Sequence, residues 1–303
     1  MCVSLKQAIL TQTIAMAYAT HHPKSKQPIV VLGYQMNAEN QSAGGNAMLL
    51  HVPASVDIGP ENMLDTSQTP RVLEDIAKAV RPVRNRFMGG DDMLRSASFG
   101  RKASVQVFDH GDFTIVMSQD IRAAHEALAR VREDRRPEIP TETVDFYANT
   151  LHDQRFMFWC WSGKASRKAP PIMFWYEPSQ TNTLFVPGID AHDGKAPDLG
   201  AYVELDHTFA AGHFSLDFNS GASFVEYSDG IPAELRPFLP RYVKGQSDIR
   251  GRYKNGDFAV RVEQLLRPEP ISILRWQPKH GALPGSVFYQ LEAAREKSKA
   301  DQK

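Results

Sequence analysis

Only two of the 303 residues are cysteine, Cys2 and Cys160. Two cannot build a disulfide framework, and their scarcity fits a reducing, cytoplasmic setting. Net charge is missing as well, since 35 Lys and Arg balance 35 Asp and Glu. That removes any broad electrostatic attraction to nucleic acid or to an anionic membrane, so neither is expected as a partner. The strongest basic stretches, RPVRNR (81–86) and GRK (100–102), read as solvated faces. No run approaches the roughly 18–20 apolar residues of a membrane span. Familiar motifs are absent too: no Gly-x-Gly-x-x-Gly opening a helix, no P-loop, no His-Glu-x-x-His, no Cys-x-x-Cys and no Gly-x-Ser-x-Gly. NAD, ATP and zinc-protease chemistry therefore have no support, and no cofactor is expected.

What is present begins with MCVSLKQAILTQTIAMAYAT (1–20). As a secretion signal, its apolar segment would be broken in the middle by Thr11, Gln12 and Thr13, where a continuous apolar helix of about 7–15 residues is needed. The stretch reads better as the start of the fold, with a strand over 13–20. The polar turn HHPKSKQP (21–28) follows, then strands at 29–36 and 46–54. Short strands joined by short polar turns predict an antiparallel meander.

Helices are few. Thr69 with Pro70 suits a helix start, and the spacing predicts a helix to Val80 with Thr69 as N-cap. Ser118 is expected to cap a helix over 118–134, and Thr141 one through Leu151. Between the first two, 102–118 reads as a hairpin turning at His110-Gly111-Asp112.

Strands return in RFMFWCWSG (155–163). Phe156, Phe158 and Cys160 alternate with Met157, Trp159 and Trp161, so both faces are apolar and the strand should be covered on both sides. PIMFWYEP (171–178) is expected to pair back on it. Further strands are expected in TLFVPGID, GAYVELDH and FSLDF, then a hairpin at Lys254-Asn255-Gly256-Asp257. A last helix from Ser286 should fray into a charged tail over 291–303. The fold class that follows is α+β: a mainly antiparallel sheet system with a few covering helices. Residues 1–290 are expected to form a single domain, with a subdivision near 135–140 as the alternative.

Two places could carry chemistry. Loss of Met1 would give Cys2 a thiol and an α-amine on one residue. That amine has an ordinary pKa of about 8, so it can serve as the thiol's own base. The second place is DAHDGKAPDLGAYVELDH (190–207). Alternation along a strand would set Asp190 and His192 side by side, and a carboxylate beside an imidazole can orient a general base. Asp206-His207, expected at the end of the next strand, offers the same combination. The same groups could also hold a divalent metal, or could simply be polar turns.

With these residues in view, the chain resembles a family of uncharacterised bacterial proteins that begin Met-Cys. The likeness rests on GNAMLLHVPA (45–54), PIMFWYEP (171–178), LFVP (184–187), His192-Asp193-Gly194 and Asp206-His207. A more distant resemblance is to N-terminal-nucleophile hydrolases such as bile-salt hydrolases and acid-ceramidase-like amidases, which also start Met-Cys before a strand pair. It implies layered sheets of that type. In those enzymes an Arg near the end of the second strand assists the nucleophile; here that place reads Ala19-Thr20-His21. The expected activity is a cysteine-dependent amide or acyl hydrolase acting on a small-molecule or peptide amide. Cys2 would be the nucleophile and its α-amine or His207 the base, with Asp206 or Asp190 orienting a histidine. The other expectation is a non-enzymatic α+β protein that binds a ligand or another protein.

Overall fold

The computed structural model describes residues 3–80, 105–162, 167–278 and 287–290. Cys2, the basic stretches at 81–86 and 100–102, and the tail 291–303 lie outside the described residues.

Three sheets organise them. The first is wholly antiparallel, in the order β1 (Val3–Ser4), β4 (Asn46–Val52), β7 (Arg155–Trp161), β6 (Phe113–Ser118), β5 (Gln106–His110). The second runs β12 (Ser223–Phe224), β13 (Tyr242–Lys254), β11 (Tyr202–His213), β2 (Ala8–His21), β3 (Pro28–Asn40), β8 (Arg167–Lys168), and β9 (Ile172–Tyr176) also pairs with β3. Its one parallel pair joins β2 to β11. The third and smallest sheet is β10 (Thr183–Val186), β14 (Asp257–Arg261), β15 (Leu274–Gln277), β16 (Val287–Gln290).

The alternation in β7 explains the layering. Met157 and Trp159 face the second sheet, where they share one buried cluster with Ala15, Leu32, Phe174 and Phe209. Phe156, Phe158 and Cys160 face the other way, against α2 (Ile121–Ala127) and α3 (Thr141–Thr150), through Ile121, Ala124, Val144 and Tyr147. Each large side chain buried here contributes about 1.5–3 kcal/mol. On the far side of the second sheet, Met16, Val31 and Met173 meet Val72, Leu73 and Ile76 of α1 (Val72–Ala79). A Cβ on Gly33 would come within 2.7 Å of Leu73, so the missing side chain lets α1 lie close on the sheet. The order is therefore helix, sheet, sheet, helix. A short α4 (Val262–Leu266) closes the end of β14. The expected α+β class, mainly antiparallel with few helices, is what the chain adopts.

Several local expectations are corrected. Thr69 does not cap α1: a turn intervenes, and its buried hydroxyl has no hydrogen-bond partner among the described residues. Ser118 ends β6, and Asp120 caps α2 by accepting from the Arg122 amide at 2.9 Å. Thr141 is the first residue of α3, and Pro140 stands at its cap position. Residues 172–176 pair with β3, because both edges of β7 are already taken by β4 and β6. The Asn255-Gly256 turn joins strands of different sheets, since β13 pairs with β11 while β14 pairs with β10 and β15. Val287–Gln290, expected as helix, is a strand on β15, as its β-branched and aromatic residues favour.

Candidate functional site

The described chain starts inside a seam between sheets. Val3 bridges Ala191, and the Ser4 amide donates to the Ala191 carbonyl at 2.9 Å. Further on, the Ala8 amide donates to the His192 carbonyl at 3.0 Å. Residues 190–193 thus run along the first residues of the chain. Gly194 then turns away at φ +79°, where a Cβ would crowd the Leu5 carbonyl at 3.2 Å.

Two side chains from the β13–β14 turn fix this segment. The Asn255 side chain accepts from the Asp190 amide and donates to the Asp190 carbonyl, both at 2.8 Å. One oxygen of Asp257 accepts from the amides of Gly188 at 2.7 Å and Ile189 at 3.0 Å. Its other oxygen lies 3.0 Å from Nε2 of His51 on β4. Tyr147 and Phe185 pack around that imidazole. A carboxylate with both oxygens engaged satisfies the demand that buried charge be paired.

Arg275 on β15 is wholly buried. Its Nε donates to the Lys254 carbonyl at 2.9 Å, and its guanidinium lies 4.5 Å from the Phe258 ring centre. Burial pulls its pKa down to about 10, against the opposing pull of Asp257 and Asp190. Two aspartates and one cation therefore share the interior of the seam.

His207 faces the same group. The Asp206 amide donates to its Nδ1 at 3.0 Å, so the neutral ring carries its hydrogen on Nε2. That Nε2 is buried and has no hydrogen-bond partner among the described residues. Burial pushes the imidazole well below its ordinary pKa, and the nearby Arg275 guanidinium pushes the same way. His207 is accordingly a neutral donor at Nε2. Asp206 does not end a strand as expected, because β11 continues to His213. Its carboxylate instead accepts from the Gln12 amide at 2.7 Å. There β2 bulges, with Gln12 at φ +55°, and β13 bulges on the other side of β11, with Asp248 at φ +58°. Paired bulges with left-handed non-glycine residues mark a place where local regularity was given up, as next to active sites.

Of the residues expected from sequence, Asp190 and His192 are brought together, with Oδ1 and Nε2 3.3 Å apart. His207 lies close enough to feel both His192 and Arg275, while Asp206 serves the β2 bulge. Cys2 lies outside the described residues. Sequence reasoning passed over His51, Asn255, Asp257 and Arg275. Asn255 and Asp257 were visible only as turn residues, and nothing local distinguishes His51 or Arg275. Cys160 is buried, with its thiol pushed up to about 12 by desolvation. No group of three or more His, Cys, Asp or Glu among the described residues could hold a metal ion. No helix among them is long and apolar enough to cross a membrane.

No family model matches the chain, and no curated protein matches it in sequence. Among solved structures it is similar to baculovirus P35, with 12% identity over 96% of this chain and 99% of that one, at a TM-score of 0.36. P35 from its complex with caspase-8 gives 10% identity over 92% and 84%, at a TM-score of 0.34. A likeness at these scores carries no argument about function.

Proposed function

We propose that the protein is a cysteine-dependent amide or acyl hydrolase with Cys2 as its nucleophile. The observation that carries the reading is the bridge of Val3 to Ala191, between Asp190 and His192. Cys2 is covalently joined to Val3, and consecutive Cα atoms are about 3.8 Å apart. The reading requires the Cys2 thiol to reach an imidazole already turned towards a carboxylate. The stack of helix, sheet, sheet and helix supports the reading, because the nucleophile-hydrolase resemblance implies layered sheets.

Each group then has a task. His192, with Nε2 towards Asp190, takes the thiol proton on its other nitrogen; the α-amine freed by loss of Met1 is a second acceptor. The thiolate attacks the amide carbonyl, and the Nε2–H of His207 donates to the oxyanion that forms. The C–N bond breaks as the leaving amine takes the proton, and water then releases the acid from the thioester. Arg275 supplies buried positive charge that the end of the second strand lacks. A reducing, cytoplasmic location suits a free thiol nucleophile.

Iodoacetamide labelling with intact-mass analysis tests this. Met1 should be absent, Cys2 should label readily in the folded protein and Cys160 should not. Cys2→Ala should end labelling and any amidase turnover while leaving the melting temperature unchanged. Retained Met1 or an unreactive Cys2 overturns the reading and favours the non-enzymatic binding protein.

A further inference from the structure

Away from the seam, the two large sheets part at one end and leave a cleft of about 260 Å³. Met36 and Ala38 of β3 and Leu10 of β2 form one wall, while Met48, Phe113 and Trp161 of the first sheet form the other. Met36, Met48, Leu10 and Phe113 are nearly inaccessible to solvent, so the apolar part of the walls is closely packed. Phe113 is held edge-on to the buried Trp159, 83° between planes and 5.6 Å between centres, which keeps its ring from collapsing inwards. Ala38 and Ala169 stand where a larger side chain would fill the gap.

We infer that this cleft binds a small neutral aromatic molecule between the two sheets. Its volume falls just under the roughly 300–1,000 Å³ of sites for drug-sized ligands, which suits a single substituted ring. Thioether sulfurs make favourable contacts with ring edges, and one methionine from each sheet lines the space together with Trp161 and Phe113. Asp112 is the one charged side chain among the described lining residues, and its carboxylate disfavours an anionic ligand. Polar backbone and the Ser162 hydroxyl at the mouth suit one uncharged polar substituent.

The inference stands apart from the hydrolase reading, because binding needs no thiol. Benzamide and cyclohexanecarboxamide are the probes, matched in size and polar group, and the readout is NMR of the methionine methyl groups. Benzamide should shift the Met36 and Met48 methyls saturably and leave Met16 and Met173, behind the second sheet, unmoved. It should bind about threefold or more tightly than its saturated counterpart, because only a ring with a π face gains the aromatic and sulfur contacts. Ala38→Leu should weaken benzamide about tenfold or more by occupying its space. Met48→Leu keeps the volume and removes the sulfur, so it tests the same contact should Ala38→Leu fail to fold. Cys2→Ala should bind as the unaltered protein does. Equal affinity for the two probes, shifts confined to other methionines, or no binding at all overturns the inference.

Discussion

His51–Asp257 and Asp190–His192 are both carboxylate–imidazole pairs, and both bear on the segment 188–193, yet they differ in what surrounds them. The first is sealed, with side chains 2% and 0% exposed, and Asp257 spends its second oxygen on two backbone amides. The second reaches solvent, with His192 26% exposed and Asp190 10%. A sealed pair cannot meet a substrate, and its worth lies in ordering the chain around it. An open pair is held less tightly and can change partners. The same two functional groups therefore take opposite roles, and burial makes the difference.

The largest expected effect comes from the sealed pair. Asp257→Ala strands His51 and the amides of Gly188 and Ile189 in the interior, and breaking such a pair costs about 3–5 kcal/mol. Urea denaturation should show a loss of that order, against about 1 kcal/mol or less for Asp190→Ala, whose backbone Asn255 still holds. Similar losses at the two positions would erase the distinction. Next comes the open pair. His192→Ala should slow Cys2 alkylation by roughly 100-fold, as removal of a general base does, and flatten its pH dependence while leaving the unfolding midpoint in place. A large stability loss there, with alkylation unchanged, would make both pairs structural.

The smallest effect belongs to His207, the histidine in neither pair. Its folded pKa lies below the ordinary value, so between the two the unfolded chain binds more protons than the folded one. Stability is then full above about pH 6.5 and falls as the pH drops from there, at up to about 1.4 kcal/mol per unit. His207→Gln should remove that slope when stability is measured between pH 7 and pH 5. An unchanged slope would assign the acid sensitivity to other groups.

Sequence carried the pairing that chain neighbours make and lost the pairing made by folding. Asp190 and His192 are two positions apart, so any extended backbone brings them together. His51 and Asp257 are 206 residues apart, and only the packing of the first sheet on the third joins them. The two apolar faces of β7 were legible because strand periodicity needs no partner to be identified. Its neighbours were not legible, since several apolar strands could have paired with it and topology chose β4 and β6. The bulge at Gln12 left no local mark either: Thr11, Gln12 and Thr13 read as a weak point in an apolar run, and they are where β2 yields to the Asp206 carboxylate.

The parallel pairing of β2 with β11 also sets an order of events in the making of the protein. β2 and β3 emerge early and can form their hairpin at once, but the other edge of β2 needs β11, roughly 180 residues later. At translation rates of about 5–20 residues per second, that edge waits on the order of 10–40 s. During that time Ile14–Ala19 presents unpaired amides and carbonyls to whatever strand comes near, including the same segment on a neighbouring ribosome's chain. Arrival of β11 covers the edge, so the nascent chain is most vulnerable to aggregation before His213 has left the ribosome.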